Sequence, residues 1–431
     1  MALTGHHSVY EGWRQMQSDQ PKHSVVVGAG IIGSAISYEL QKRGGQVTLI
    51  DADTPGRGAS YGNMASIAVT EFMPVSRPSV WRQTPGWLLH PEGPIRVSPR
   101  YAPHLIPWFA RFFWAGRPSK LRQLEAQGAA LCQRSLADTE NLMAELGLAG
   151  DLSTTGCLSL YASEAEFIAD QERLDMLDRH GFGYEMLNRD ALHDLEPEIS
   201  PVIQKAVLLP DNRTVRDPYA FVTRLVEAFV SLGGQVQRGK VTGFERAERV
   251  TNVRLEDGRQ IKADQVVLAA GAFTARLSKK LDEPIPLETE RGYHTQINAP
   301  GIRLDHSIIW PAMAFMVSPT AGGIRVGGTV EMAGLDAAPD WRRSKITVGR
   351  ARKALPNLRI DNSSEWMGHR PAFPDTVPVM SASAKVSGVY YATGHGHLGL
   401  TYAATTAKLM GQLISGELPD IDLNPYRIDR F

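Results

Sequence analysis

The chain has 431 residues, with 46 basic and 46 acidic side chains and a formal net charge of zero. This length predicts two or three domains with sizeable hydrophobic cores. The balanced charge argues against a nucleic-acid partner, which requires a clustered basic surface. The cysteines, Cys132 and Cys157, are too few for a disulfide scaffold and form no CxxC pair, which is typical of a reducing compartment.

The first 20 residues are polar and lack the basic and apolar regions of a signal peptide. The apolar run at residues 266–275 is too short for a membrane-spanning helix, which needs about 20 residues. We therefore expect a cytoplasmic α/β protein.

Residues 24–51 predict a complete strand–turn–helix–strand unit. A β-branched strand leads into a glycine turn, and apolar residues then recur at helical spacing. Gly44 and Gly45 end the helix, and a second strand ends on Asp51. A loop of small residues follows at 56–68, and residues 72–117 are rich in Pro, Trp and Arg.

The middle of the chain predicts helices over 119–148, 164–180 and 219–232. We expect strands over 155–162 and 261–270, and mostly strands over 285–359. Residues 389–416 repeat the pattern of the beginning, because a strand, a glycine turn and a helix follow one another.

The first glycine turn has the sequence GAGIIG, residues 28–33. In this pattern the first glycine allows a sharp turn, the second lets the backbone approach a pyrophosphate, and the third lets helix and strand pack closely. The helix N-terminus attracts phosphate, and Asp51 is placed to accept hydrogen bonds from a ribose diol. The unit predicts dinucleotide binding rather than a bare tight turn. The carboxylate disfavours NADP, whereas NAD and FAD both stay open.

A second turn, GHGHLG at residues 394–399, also fits the GxGxxG pattern. A separate NAD(P)H site would need another strand after the helix, but the chain continues through a polar segment with Pro419. The alternative is that this helix N-terminus returns to the same cofactor and stabilises the negative charge of a reduced flavin. His395 and His397 lack the carboxylate pattern of a metal site, so we expect no metal.

Several segments together resemble one known family. In chain order they are VVVGAGIIG (25–33), GASYGNMAS (58–66), TTGCLSLYA (154–162), VVLAAGAFT (266–274), ERGYHTQI (290–297), IRVGGTVE (324–331), GHRPAFPDTVPV (368–379) and YYATGHGHLGLTYA (390–403). With these motifs along nearly its whole length, the chain resembles the FAD-dependent D-amino-acid dehydrogenase and glycine oxidase family of the D-amino-acid oxidase superfamily.

The resemblance implies an α/β fold with a Rossmann-type FAD-binding domain, similar to that of glutathione reductase. An α+β substrate domain with an antiparallel sheet interrupts it. The implied boundaries are 20–70, 205–280 and 365–425 for the FAD-binding domain, and 71–204 and 281–364 for the substrate domain.

The resemblance also implies oxidative deamination of a D-amino acid. A hydride leaves Cα for flavin N5, and water hydrolyses the imine to a 2-oxo acid and ammonia. Two alternatives stay open: oxidation of glycine, sarcosine or D-hydroxyproline, and a flavin-binding subunit of a hetero-oligomeric dehydrogenase. The electron acceptor is either O2 or a quinone of the respiratory chain.

Carried over residue by residue, the resemblance implies an FAD site built from separate segments of the chain. Because neither Cys132 nor Cys157 lies in the C-terminal flavin section, we expect non-covalent FAD. The implied cofactor-binding residues are Gly28, Ala29, Gly30, Ile31, Ile32, Gly33, Asp51, Ala52, Ser60, Gly62, Asn63, Met64, Val241, Ala270, Gly271, Gly394, Gly396, Leu398 and Gly399.

Arg370, in the GHRP segment, matches the family's carboxylate-binding arginine. A planar guanidinium binds a carboxylate through two parallel hydrogen bonds; the alternative is a surface arginine in a salt bridge. Relatives often add a tyrosine hydroxyl at the position where this chain has Phe315. Tyr293, His294 and Tyr402 are candidates for that missing group. The predicted catalytic residues are Arg370, His395, His397 and Tyr293.

Residues 104–116 read HLIPWFARFFWAG and predict an aromatic helix packed on the substrate domain. Arg111 and Arg117 lie within and beside this segment. The alternative is therefore a peripheral contact with a membrane or a partner subunit around Trp108–Trp114. In that case a cytoplasmic protein would attach to the inner membrane.

Overall fold

The structure, a computed structural model, describes residues 22–431, so the predicted lack of a signal peptide in residues 1–20 lies outside the described residues. The strands are β1 (His23–Val27), β2 (Gln46–Asp51), β3 (Ser66–Ile67), β4 (Ile95–Val97), β5 (Cys157–Tyr161), β6 (Glu185–Asn188), β7 (Lys205–Leu209), β8 (Arg213–Thr214), β9 (Gln235–Arg238), β10 (Val241–Arg246), β11 (Val250–Leu255), β12 (Gln260–Lys262), β13 (Gln265–Leu268), β14 (Glu288–Ile297), β15 (Ser307–Trp310), β16 (Phe315–Thr320), β17 (Gly323–Met332), β18 (Ser363–Ala372), β19 (Val379–Ala382) and β20 (Val389–Thr393). The helices are α1 (Ile31–Lys42), α2 (Pro78–Leu89), α3 (Ala102–Ala115), α4 (Pro118–Glu145), α5 (Glu164–Ala169), α6 (Gln171–His180), α7 (Arg189–Leu195), α8 (Pro218–Ser231), α9 (Thr274–Lys279), α10 (Arg342–Ala354) and α11 (Gly399–Ser415).

A six-stranded sheet organises the first unit, in the order β19-β20-β13-β1-β2-β9. Its strands are parallel except β19, which pairs antiparallel with β20. Helices α1, α8 and α11 pack on one face, and the small antiparallel sheet β10-β11-β12 packs on the other. Both faces are covered, so the apolar residues at 25–27 in β1 and 266–268 in β13 are all buried.

A larger, mostly antiparallel sheet organises the second unit. Its strands run in the order β18-β14-β17-β16-β15-β5-β7-β6, with β4 beside β17. Helix α10 packs on it through Val348 and Ala351, and the aromatic helix α3 packs through Trp108 and Phe112 against Met332. The predicted fold class, a Rossmann-type α/β unit interrupted by an α+β unit, is confirmed.

The sheets divide the chain differently from the predicted boundaries at two places. Strands β7 and β18 belong to the larger sheet, although residues 205–209 and 365–372 were predicted to lie in the FAD-binding domain. The reason is long-range pairing, because β7 joins β5 and β18 joins β14 along its whole length. Arg370 therefore projects from the larger sheet.

Several predicted elements differ in detail. Residues 164–180 form two helices, separated at Asp170, whose carboxylate binds Tyr161 and Arg173. The segment 285–359 contains the helix α10, and residues 261–270 contain the end of β12 and the whole of β13. The Pro- and Trp-rich segment 72–117 holds the helices α2 and α3, each with proline in its first turn.

No helix within residues 22–431 is long and apolar enough to cross a membrane.

Candidate active site and cofactor site

The predicted glycine turns meet at one edge of the six-stranded sheet. The turns follow β1, β13 and β20, and Asp51 ends β2. These four strands are neighbours and parallel, so their carboxyl ends lie along the same edge. Open α/β sheets bind ligands at such an edge.

The first turn has no room for side chains at two glycines. Gly28 has a φ of +106°, and a Cβ there would lie 2.5 Å from the Ala269 carbonyl oxygen. A Cβ at Gly33 would lie 1.8 Å from the Gly28 carbonyl oxygen. Ala29 and Ile31 are buried, and Ile32 packs against the core. The fold itself therefore requires glycine at positions 28 and 33.

The N-terminus of α1 is capped from a distant loop. Gly30 occupies the N-cap position and offers no side chain, but the Ser60 hydroxyl accepts a hydrogen bond from the Ile31 amide at 2.8 Å. The amides of Ile32 and Gly33 have no hydrogen-bond acceptor among residues 22–431. Free amides at a helix N-terminus bind anions such as phosphate.

The Asp51 carboxylate joins the first turn to the end of β2. It accepts hydrogen bonds from the Ala29 amide at 2.6 Å and from the Asp53 amide at 2.9 Å. Burial raises the pKa of this carboxyl, and these amide hydrogen bonds oppose the rise. Ala52 is exposed, and Val241 follows β9, which pairs with β2 at Asp51. The structure thus brings the residues predicted to surround the adenosine close to the end of β2.

The loop at 60–64 is tied to the larger sheet. The Gly62 carbonyl lies 2.8 Å from His294 Nδ1, and Arg325 donates to the Asn63 carbonyl at 2.5 Å. The Met64 carbonyl accepts a hydrogen bond from Ser318 at 2.6 Å. This loop therefore bridges the parallel sheet edge and the larger sheet, where the predicted substrate residues lie.

Trp366 lies against the loop at Gly62 and was not among the predicted site residues. Its ring stacks on His294 with centroids 5.1 Å apart. A Cβ at Gly62 or at Gly368 would lie within about 2 Å of this ring, at 2.2 Å and 1.9 Å respectively. Gly62 and Gly368 therefore leave room for the Trp366 ring. In the sequence, the glycine of the GHRP segment was the one indication of this contact.

The second glycine turn separates its two histidines. His395 is 4% exposed, and its Nε2 lies 3.1 Å from the Thr406 hydroxyl inside α11. His397 instead is exposed and lines a cavity near Arg370, whose positive charge disfavours protonation of the imidazole. The Gly396 amide donates to the Pro371 carbonyl at 2.8 Å, which fixes the turn beside Arg370. The structure brings His397, but not His395, to the side of Arg370. Leu398 is buried, and Gly399 begins α11.

Arg370 retains free hydrogen-bond donors. Its guanidinium lies against the backbone of Gly292, and Nη1 donates to the Thr329 carbonyl at 3.3 Å. No carboxylate oxygen among residues 22–431 lies within 4.0 Å of it. Thr329 has a φ of +56° beside a bulge in the pairing of β14 with β17, and this unusual conformation turns its carbonyl toward the arginine. Arg370 is therefore not the surface salt bridge of the alternative interpretation.

The candidates for a second carboxylate ligand lie in different surroundings. The Tyr293 hydroxyl donates to Glu331 at 2.5 Å in a buried network with Arg291. Side chains alternate between the faces of a strand, so Tyr293 and Arg370 lie on opposite faces of the larger sheet. Tyr402 is buried against Cys132 at 3.5 Å, and Phe315 is buried in the core. Of the candidates, only His294 lies on the face that carries Arg370.

A cavity of about 250 Å³ adjoins the second glycine turn at His397. Its wall includes charged side chains, because Arg173 makes ion pairs there with Asp170 at 2.7 Å and with Glu71 at 3.5 Å. Asp170 and Arg173 are close in sequence, but Glu71 comes from a distant segment, and no local pattern predicted that the three would meet. The cavity is lined by Glu71, Met73, Val75, Arg77, Ser159, Asp170, Arg173, Ile309, Pro311 and His397.

Comparison with known proteins decides the family. The model of the DAO family, described as FAD dependent oxidoreductase, matches residues 23–413. The chain belongs to this family. It is 33% identical over 425 residues to a D-amino-acid oxidase from Bradyrhizobium diazoefficiens, with 95% of this chain and 99% of the relative covered. It is also 29% identical over 416 residues to a D-amino acid dehydrogenase from Rhizobium johnstonii, with 94% and 99% covered.

The solved structure of glycine oxidase from Geobacillus kaustophilus has the same fold. Its TM-score is 0.75 at 20% identity, with 95% of this chain and 99% of that chain covered. As a member of the DAO family, the chain is an FAD-dependent oxidoreductase.

The residues at the sheet edge fit the FAD of the DAO family. The free amides of Ile32 and Gly33 suit a pyrophosphate, and the Asp51 carboxylate suits a ribose diol. A Cβ at Gly271 or at Gly396 would enter open space, so the edge of the sheet is clear beside both turns. The extended cofactor of this family can therefore lie along the four adjacent strand ends.

The cysteines of this DAO-family chain are free and buried. Burial raises the pKa of Cys132 to about 12 and also raises the pKa of Cys157. Within residues 22–431, no group of three or more His, Cys, Asp or Glu side chains is arranged to hold a metal ion.

Proposed function

We propose that the chain is an FAD-dependent D-amino-acid dehydrogenase. Arg370 supports this proposal most directly, because it points free donors into a site beside the second glycine turn. A fixed guanidinium with free donors suits the carboxylate of an amino acid. The names of the relatives, a D-amino-acid oxidase and a D-amino acid dehydrogenase, support the D configuration.

In the proposed reaction, the residues of the chain mainly bind and orient the substrate. Arg370 holds the carboxylate, and the imidazole of His397 lies on the turn beside it. Bound FAD supplies the acceptor for the hydride that leaves Cα. Water then hydrolyses the imine to a 2-oxo acid and ammonia. Positioning supplies most of the rate enhancement in such a site.

The proposed cofactor contacts follow the geometry of the sheet edge. The first turn and α1 bind the pyrophosphate, Asp51, Ala52 and Val241 surround the adenosine, and the second turn faces the flavin. The loop with Ser60, Gly62, Asn63 and Met64 lies between these regions, because it is bonded to both α1 and the larger sheet. We propose that FAD is held without a covalent bond.

Anaerobic reduction of the flavin tests the substrate class. The purified holoenzyme is mixed with D-amino acids, L-amino acids, glycine or N-methylglycine, and the visible flavin absorbance is followed. We expect bleaching by D-amino acids, and oxygen consumption then distinguishes oxidase from dehydrogenase. Bleaching by L-amino acids alone would contradict the proposal, and preference for glycine or N-methylglycine would favour the glycine oxidase alternative.

Replacement of Arg370 tests its role. Arg370→Ala should raise KM for the amino acid by about 100-fold, the loss expected for a charge-assisted contact. FAD content should not change, because Arg370 lies on the larger sheet. Arg303→Ala is the matched control, since Arg303 is 86% exposed. An unchanged KM for Arg370→Ala would refute the assignment.

We further propose that the aromatic helix α3 brings this cytoplasmic protein to an anionic membrane surface, where a quinone can accept electrons. Helix α3 leaves Ile106 and Trp114 exposed, at 67% and 60%. The Arg117 guanidinium lies 3.2 Å from the Trp114 ring centroid. An exposed aromatic beside a cation suits the boundary between lipid headgroups and acyl chains.

Sedimentation with lipid vesicles tests this contact. The holoenzyme should bind vesicles that contain anionic lipid more strongly than vesicles of neutral lipid. Trp114→Glu should weaken this binding, whereas Ile168→Glu should not, because Ile168 is equally exposed, at 64%, on a different helix. Equal loss in both variants, or no binding at all, would contradict the proposal.

A further inference from the structure

Glu290 lies directly opposite Arg370 in the larger sheet. The two residues are register partners in the antiparallel pair β14–β18. Directly opposed residues in such a pair project from the same face, with Cβ atoms about 5 Å apart. The same face carries Gly292, beneath the Arg370 guanidinium, and His294, which bonds the loop at Gly62. Glu290 therefore shares the face of the sheet that forms the proposed substrate site.

The Glu290 carboxylate lacks the partners that other glutamates of the sheet region have. Glu331 binds Arg291 and Tyr293, and Glu283 binds Ser383 and Tyr391. Glu288, two residues away on the same face, accepts hydrogen bonds from Tyr101 and from the Thr289 amide. No donor among residues 22–431 bonds to the Glu290 side chain. Glu290 is only half-buried, so its carboxylate keeps hydrogen-bonding capacity that a ligand can use in place of water.

Glu290 and Arg370 influence each other without forming an ion pair. Burial raises the pKa of Glu290, and Arg370 lowers it; burial lowers the pKa of Arg370, and Glu290 raises it. Yet their charged atoms are more than 4.0 Å apart, because no salt bridge joins them. Two opposite charges that face one site, each with unused hydrogen-bonding capacity, match the two ends of a zwitterion.

We propose that Glu290 binds the amino group of the substrate while Arg370 binds its carboxylate. This inference rests on the proposed function, because it concerns the same site. The ammonium group offers three N–H donors to a carboxylate that has none. The imidazole on the same face, His294, does not compete for the ammonium group, since it is engaged with the Gly62 carbonyl. Glu290 thereby adds recognition of the amine to recognition of the acid.

The test compares two ligands that differ only in the amine. 2-Aminoisobutyrate has a carboxylate and an ammonium but no hydrogen on Cα, so it binds without being oxidised. Isobutyrate lacks the amine. Each is titrated into the holoenzyme, and the dissociation constant is read from the change in the flavin spectrum. Turnover is not needed, so a chain that fails to oxidise D-amino acids can still be tested for this inference.

Glu290→Gln should weaken 2-aminoisobutyrate about tenfold or more, the loss expected when a charged partner is removed. Isobutyrate should bind equally well or more tightly, since the negative charge that opposes it is gone. Glu288→Gln is the matched control, and it should change neither constant. Glu290→Asp, which keeps the charge, should restore part of the preference for the amine.

Three results would overturn the inference. One is equal weakening of both ligands in Glu290→Gln, which would mean that Glu290 only orders Arg370. Another is an unchanged constant for 2-aminoisobutyrate. The last is a wild-type protein that binds isobutyrate at least as tightly as its amino derivative, or binds neither. The flavin content and the melting temperature of each variant show whether it is folded.

Discussion

The Arg370 guanidinium rests directly on the backbone of Gly292. A Cβ at position 292 would lie 2.4 Å from Arg370 Cζ, so the arginine occupies the space that a side chain would take. Gly292 is paired with Gly368 across β14 and β18, and the Trp366 ring fills the space that a side chain at Gly368 would take. The absence of a side chain at Gly292 thus leaves room for the guanidinium that we propose to hold the substrate carboxylate.

Gly292→Ala should displace Arg370 while leaving the sheet intact. Alanine suits a strand at least as well as glycine, so the effect should fall on the site rather than on the fold. We expect KM for the amino acid to rise about tenfold with FAD still bound. Gly349→Ala, in open space on α10, is the matched control. An unchanged KM in Gly292→Ala would show that the arginine adapts without cost.

The local patterns of the sequence were enough to predict the cofactor turns. Residues 24–51 follow one another as strand, turn, helix and strand, and every part of that unit depends on near neighbours. The pairing of Glu290 with Arg370 and the stacking of Trp366 on His294 depend instead on the register of β14 against β18. That register joins segments about 80 residues apart, and no local pattern specifies it.

The orientations of the two histidines in GHGH also could not be predicted from the sequence, although the residues are close neighbours. Both belong to one glycine turn, yet His395 turns into α11 and His397 turns toward a cavity. The positive φ angles of Gly394 and Gly396 set these directions. Such angles are possible at any glycine, so the motif predicted a turn but not which imidazole would face the site.

Ser60→Ala should weaken both the fold and the binding of FAD. Ser60 supplies the only side-chain cap at the N-terminus of α1, since Gly30 has none to offer. Loss of a helix cap costs about 1 kcal/mol in the free energy of unfolding. We expect a lower melting temperature and a larger dissociation constant for FAD, measured by fluorescence titration. Ser231→Ala, at an exposed position in α8, is the control; equal effects from the two substitutions would contradict a special role of Ser60.

The state of the two cysteines bears on whether the flavin is attached by a covalent bond. Both thiols are buried, and burial raises their pKa values, so neither is a reactive thiolate at neutral pH. The folded holoenzyme should not react with a thiol reagent, whereas the denatured chain should expose both thiols. Acid precipitation should leave the flavin in the supernatant. Flavin that stays with the precipitated polypeptide would instead indicate a covalent bond.

We expect the folded protein to lose stability in mild acid because of His395. Burial lowers its pKa from 6.5 to about 3, so the folded protein keeps this imidazole neutral. The unfolded chain takes up a proton below pH 6.5, and the free energy of unfolding therefore falls as the pH drops from 6.5 toward 3. At pH 5 this one group should account for about 2 kcal/mol.

The substitution His395→Asn isolates that contribution. The variant should be less stable than the wild type at pH 7.5, because it loses the contact with Thr406. Between pH 7.5 and pH 5, however, its free energy of unfolding should fall by about 2 kcal/mol less than that of the wild-type holoenzyme. Other buried histidines contribute equally to both proteins and cancel in the comparison. His90→Asn, at an exposed site, should keep the wild-type dependence on pH. If both variants keep it, His395 takes up its proton in the folded protein as readily as in the unfolded chain.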